Sequence, residues 1–102
     1  APETVEAKVV QDADRLDALG AVGVARCFAV GGALDRPLYN PDDPFCEERA
    51  PDDDAYTLDH FYAKLLRLPD TMQTDAGRDE AKQRAAFLRT YLDQLRGELG
   101  SG

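Results

Sequence analysis

Three aspartates stand at positions 12, 14 and 17 of the stretch VVQDADRLDALG, Val9 to Gly20. Carboxylates are hard oxygen donors and suit divalent cations, but a catalytic metal needs several ligands converging from more than one element. The same triplet would also serve as the solvated face of a helix. At 100° per residue, Asp14 and Asp17 lie only about 60° apart, whereas Asp12 is turned about 160° from Asp14 and falls among Val5, Leu16 and Leu19. An unpaired carboxylate on an apolar stripe is costly, so Asp12 must be paired, capping, coordinating a metal or hydrated by a neighbouring segment. Asp14 and Asp17 share the other face with Val10, which an incoming helix could cover.

Other reactive side chains are few. His60 is the single histidine, and Cys27 and Cys46 lie nineteen residues apart with no CxxC. That spacing argues for reduced thiols in a cytoplasmic protein rather than a disulfide framework. The run Asp52, Asp53, Asp54 lacks the alternating ligands and glycine of an EF-hand loop and reads as a solvated turn. Lys64 falls one helical turn after His60, as a phosphate-facing pair or as a plain surface lysine. Arg84 can meet a phosphate or one of many acids. Tyr39 and Phe45 either cover a substrate or pack locally.

The elements that must position these groups are helical. Thr4 is a natural N-cap for a helix whose apolar residues Val5, Val9, Ala13 and Leu16 recur at helical spacing, expected to reach about Leu19. GAVGVARCFAV is apolar on nearly every side and predicts a short buried helix stopped by Gly31 and Gly32. Gly20 and Gly23 within it either weaken it or permit close packing. Leu34 to Tyr56 holds four prolines and eight acidic residues without periodicity, an irregular excursion that would act as a lid, meet a partner or move freely. In TLDHFYAKLLRL, Thr57 can cap a helix whose stripe is Leu58, Phe61, Leu65 and Leu68, ended by Pro69. Thr74 opens the longest helix, in which Ala81, Ala85, Leu88, Leu92, Leu95 and Leu99 form a seam over about 25 residues, or about 37 Å. The seam suits a coiled-coil dimer, but its opening alanines and flanking Phe87 and Tyr91 favour packing inside a globular bundle. The expected fold is all-α, a single domain over 1–102.

Twenty acidic against twelve basic residues give a net charge of −8, which repels phosphate backbones and anionic membranes at long range. Non-specific nucleic-acid binding is not expected. The longest apolar tract, Ala21 to Val30, is half the length a spanning helix needs and contains Arg26. APETVEA has neither the basic start nor the apolar stretch of a secretory signal, and no initiating Met, which predicts processing or a boundary within a longer chain.

Taken together, EAKVVQDADRLDALGAVGVARCFAVGG, HFYAKLLRL and AKQRAAFLRTYLDQL resemble, in order, the C-terminal half of an HD-domain phosphohydrolase of the YedJ type. The resemblance covers nearly the whole chain. It implies a divalent metal, Mn²⁺ or Mg²⁺, held by a histidine, an adjacent His-Asp pair and a distant aspartate in an ADRL helix. By that resemblance Asp14 is the metal ligand, with Asp12 and Asp17 orienting ligands or water and Asp12 as the alternative ligand. His60 would face the cleft, or else sit as a core-edge or capping residue; Lys64 and Arg84 would offset phosphate charge. The implied reaction is hydrolysis of a nucleotide or another phosphate ester.

His60 is followed by Phe61, so it is not the His-Asp pair, which in the family lies on earlier helices. The metal would bind only once an N-terminal half or partner helices supplied the missing ligands. The competing expectation is a non-catalytic helical interaction module, a degenerate half that docks on another chain or forms a homodimer through the surface around Val10 and Ala21 to Val30.

Overall fold

Thr4 ends its extended stretch by accepting a hydrogen bond from the Ala7 amide at 3.1 Å, and the first helix starts there. The computed structural model describes residues 4–100. It contains α1 (Val5–Leu16), α2 (Gly20–Ala33), α3 (Asp59–Ala63), a 3-10 helix (Leu65–Thr71) and α4 (Asp75–Glu98). The all-α expectation holds. Helix α1 stops three residues early, and Gly20, at a φ of +70°, makes the turn into α2 that a side-chain-bearing residue would resist. The two helices meet at 64°, and among the described residues no single helix is long and apolar enough to cross a membrane.

Helix α4 organises the rest. Thr74 caps it as expected, its hydroxyl accepting from the Gly77 amide at 2.9 Å. Ala81, Ala85, Leu88 and Leu92 are buried along the seam, against α2, α1 and the 3-10 helix, so the seam is spent inside the bundle. Leu99 is exposed. Leu19, Phe45, Leu58, Phe61, Leu65, Leu68 and Met72 complete the core. Phe61 stacks on Tyr91 at 5.8 Å between ring centroids, with Phe28 tilted against both.

Helix α2 departs from expectation. It runs through Gly31 and Gly32 to Ala33, and it is not buried: Val22 and Val30 are 61% and 53% exposed, and its fully buried residues are Gly20, Gly23 and Gly31. These glycines permit close packing. A Cβ on Gly31 would fall 2.1 Å from Oγ1 of buried Thr57, and one on Gly23 would fall 2.1 Å from the Ala18 carbonyl oxygen. Gly31→Ala is therefore expected to cost about 1–3 kcal/mol in urea unfolding, with part recovered in the Gly31→Ala, Thr57→Ala double variant.

The HFYAKLL segment also differs. The α-helix ends after one turn because Lys64 leaves helical geometry (φ −140°, ψ −55°), and Pro69 lies inside the following 3-10 helix instead of terminating a long α-helix. Proline disfavours the α conformation of the residue before it and removes a donor, which a short 3-10 segment tolerates. Thr57 does not cap with its side chain; its hydroxyl is buried without a hydrogen-bond partner, while its carbonyl accepts from the His60 amide at 3.1 Å.

Residues 34–58 form turns, yet they are tied to the body. Thr57 and Leu58 donate to the carbonyls of Pro37 and Leu38 at 3.0 and 2.8 Å. Arg49 grips Asp59 with a two-point pair at 2.5 and 3.0 Å and donates to the Asp43 carbonyl at 2.8 Å. Asp59, fully buried, also accepts from the Asp52 amide at 2.9 Å. Phe45 is core, covered by the Arg96 guanidinium 4.1 Å above its ring. Local packing, not substrate cover, accounts for Phe45. The molecule is elongated, 46 × 27 × 23 Å, and its radius of gyration of 14.6 Å exceeds the roughly 13 Å of a compact 100-residue domain.

Candidate functional site

Among the roles open to Asp12, the structure selects capping. One turn before the end of α1, its carboxylate is 2% exposed and points at the start of α4. Oδ1 accepts from the Gln73 amide at 2.8 Å, and Oδ2 accepts from the Thr74 amide at 2.8 Å and the Thr74 hydroxyl at 2.7 Å. Burial alone would raise its pKa; the Thr74 hydroxyl, the two amides and nearby Arg15 outweigh it and hold the carboxyl below its ordinary value. Both oxygens are thus committed to joining α1 to α4, which leaves no accessible donor for a metal or a water it would orient.

This depressed pKa has a sign. The folded state holds the proton less tightly than the unfolded chain, so the associated stability is present above the unfolded value near 3.8 and is lost as pH falls through the lowered folded value. Asp59 behaves alike, burial opposed by Arg49, the Asp52 amide and Cys46. Acid titration of the urea midpoint is expected to show a decline below about pH 4 that Asp12→Asn makes shallower.

Asp14 and Asp17 lie on the opposite, exposed side of the same helix end, and among the described residues neither carboxylate has a protein partner. Asp17 closes α1 with its backbone and offers its carbonyl to Arg26 Nη1 at 3.3 Å. Val10, beside them, is 69% exposed. No cluster of three or more His, Cys, Asp or Glu side chains exists among the described residues, so Asp14 brings no second ligand with it.

The basic candidates disperse. Arg84 is engaged structurally: Nε donates to Glu80 at 2.8 Å and Nη1 to the Leu16 carbonyl at 2.8 Å, closing the end of α1. Lys64 is exposed at the break after α3 and, with the helix ended there, does not join His60 at the cleft. His60 does line a cleft of about 180 Å³ between α2 and α3, its Nδ1 2.8 Å from Asp53 Oδ2.

The sequence did not mark the other basic residues of that cleft, Arg26 and Arg36. Arg26 follows Gly23 by three on α2, while Arg36 arrives from the irregular segment, so only the fold brings them together. Cys27 also lines the cleft, but burial first, and then Asp53, push its thiol up to about 11. Cys46 is raised to about 11 by burial and by Asp59. Both cysteines are free and protonated at neutral pH, which argues against thiolate chemistry.

No family model matches the chain. Among solved structures, an HD-superfamily hydrolase from Bacillus thuringiensis superposes with a TM-score of 0.80 at 43% identity, over 97% of this chain and 48% of that one. The fold is the helical fold of the HD superfamily. The chain is also 42% identical over 98 residues to the protein YpgQ of Bacillus subtilis strain 168, a match covering 96% of this chain and 42% of YpgQ. The crystal structure of YpgQ in complex with ADP matches with a TM-score of 0.78 at 45% identity, over 95% of this chain and 45% of that one. The chain therefore spans under half the length of each of these relatives.

Proposed function

We propose that this chain is the C-terminal half of a divalent-metal-dependent phosphohydrolase acting on a nucleotide, with Asp14 as one metal ligand. The observation that carries the reading is the division of labour on α1. Asp12 is buried in a helix cap, while Asp14 is left exposed and unpaired at the same helix end. Likeness to an HD-superfamily hydrolase, and the ADP in the YpgQ structure, support the reaction and ligand class.

An exposed carboxylate fits a hard cation such as Mn²⁺ or Mg²⁺, but one carboxylate is too few ligands, so the remainder would come from a segment outside this chain. When bound, such a metal acidifies a water and polarises a phosphoryl oxygen. Asp14 contributes negative charge and a fixed position, because the Asp12 cap and the Arg84 bond to Leu16 anchor the end of α1 to α4. Asp17 stands one turn on, where it would orient water. The exposed Val5, Val9, Val10, Val22 and Val30 offer apolar surface for the complementary helices.

The same apolar surface favours the second reading, a non-catalytic module whose work is docking to a partner or a second copy. Joining or co-expressing the chain with the rest of its parent protein separates the two. Mn²⁺-dependent phosphate release from nucleotides is expected from the combination and not from this chain alone. A complete parent protein that remains inactive with both Mn²⁺ and Mg²⁺ would leave the docking module standing. We place the parent protein in the cytoplasm on the strength of its free thiols.

A further inference from the structure

The two ring nitrogens of His60, the only histidine in the chain, have different surroundings. Nδ1 lies 2.8 Å from Asp53 Oδ2. Nε2 meets no hydrogen-bond partner among the described residues and is not buried, so solvent reaches it. His60 lines the cleft between α2 and α3 beside Arg26, Cys27 and Arg36, whereas Asp53 does not. The ring therefore turns one nitrogen to a carboxylate behind it and leaves the other for the cleft.

The fold holds both members of this pair in place. Two rungs join residues 52–53 to residues 59–60: the Asp52 amide donates to Oδ2 of fully buried Asp59 at 2.9 Å, and Asp53 meets His60. Arg49 grips Asp59 from its other side. Asp52 Oδ1 closes the turn by accepting from the amides of Asp54 and Ala55 at 3.2 and 3.3 Å. On the helix side, the His60 amide donates to the Thr57 carbonyl at 3.1 Å, and the His60 carbonyl accepts from the Lys64 amide at 3.1 Å. The Asp53 charge also reaches the cleft wall, where it is the next cause after burial that pushes the Cys27 thiol up to about 11.

We propose that Asp53 is a positioning residue that fixes His60 as its Nδ1–H tautomer and so presents the Nε2 lone pair to the cleft as a proton acceptor. An ionised carboxylate can only accept, so the nitrogen facing it carries the proton and the other nitrogen of the neutral ring keeps its lone pair. Histidine in water, without such a partner, favours the opposite Nε2–H form. A water or hydroxyl entering the cleft donates to Nε2. When the proton transfers, the O–H bond breaks, its electron pair stays on oxygen, and the new N–H leaves an imidazolium whose charge Asp53 balances. Arg26 and Arg36 line the same cleft and offset the negative charge left on oxygen. This role involves neither Asp14 nor a metal, and it stands apart from the phosphohydrolase reading.

Long-range proton–nitrogen NMR of the histidine-labelled chain reads the tautomer directly when recorded at about pH 9, well above the usual imidazole value near 6.5. With one histidine in the chain, every ring signal belongs to His60. The wild type is expected as Nδ1–H, and Asp53→Ala should move the tautomer ratio about tenfold toward Nε2–H, as loss of a hydrogen bond to a charged group predicts. Asp54→Ala removes an equal charge from the next residue, whose carboxylate is 95% exposed, and should leave the ratio unchanged. Diethyl pyrocarbonate, an electrophile that acylates an imidazole nitrogen with an open lone pair, should modify Nε2 of the wild type. The wild-type tautomer and its acylation decide the matter even where the Asp53 variant fails to fold. The proposal is overturned if the wild type is Nε2–H, if folded Asp53→Ala keeps the wild-type ratio, if Asp54→Ala shifts it equally, or if Nε2 resists acylation.

Discussion

Arg49→Ala is expected to destabilise the protein by about 3 kcal/mol, a large share of the 5–15 kcal/mol typical of a domain. The reason is the residue it abandons. Asp59 is fully buried at the start of α3, beside the core residues Leu58 and Phe61, and Arg49 supplies two of its hydrogen bonds. Removing Arg49 leaves a buried charge with the Asp52 amide as its remaining strong donor. The estimate sits at the low end for a broken buried pair because the Arg49 side chain is 23% exposed and water can partly replace it. The segment from Leu34 to Tyr56 should loosen with it, since Arg49 also holds the Asp43 carbonyl. Thermal unfolding followed by circular dichroism would show a fall of more than about 10 °C. Arg78→Ala, which breaks a pair with a fully exposed Asp75, should leave the melting temperature unchanged. Equal effects of the two substitutions would refute the central place given to the Arg49–Asp59 pair.

Asp14→Asn is expected to lower metal-dependent hydrolysis by the complete parent protein at least about 100-fold, the upper end of the cost of losing even a partner behind a metal ligand. Stability should change by less than about 0.5 kcal/mol, because an exposed carboxylate without protein partners contributes little to folding. Asp12→Asn should behave in the opposite way. It weakens the bonds to Gln73 and Thr74 and lowers stability, with any loss of activity following the folded fraction. This crossed pattern separates a ligand from a cap on the same helix. Steady-state kinetics and urea unfolding on both variants would measure it.

The parts legible in the sequence were those governed by neighbours along the chain. Thr4 and Thr74 cap as their positions imply, and the seam of α4 is buried from Ala81 to Leu92. The position of Asp12 among apolar residues implies a carboxylate that needs a partner, but spacing along the helix does not point to the amide pair more than sixty residues away that supplies it. The apolar composition of α2 reports a need for cover without saying which segment provides it, and Val22 and Val30 stay exposed. The long helix expected from Thr57 failed at Lys64, since apolar periodicity runs through both α-helical and 3-10 segments without marking their junction. Asp59 passed as one acid among twenty, and its partner Arg49 lies in a stretch with no periodic pattern. Arg26 and Arg36 were missed for a related reason: their meeting with His60 is a property of the packed bundle.

Titration of Mn²⁺ into the complete parent protein, wild type against Asp14→Asn, tests the central claim most directly. A stoichiometric, tight site is expected in the wild type, weakened at least about 100-fold in the variant while its thermal unfolding stays unchanged. Equal Mn²⁺ affinity in the two proteins would contradict the assignment of Asp14 as a metal ligand and, with it, the proposed mechanism.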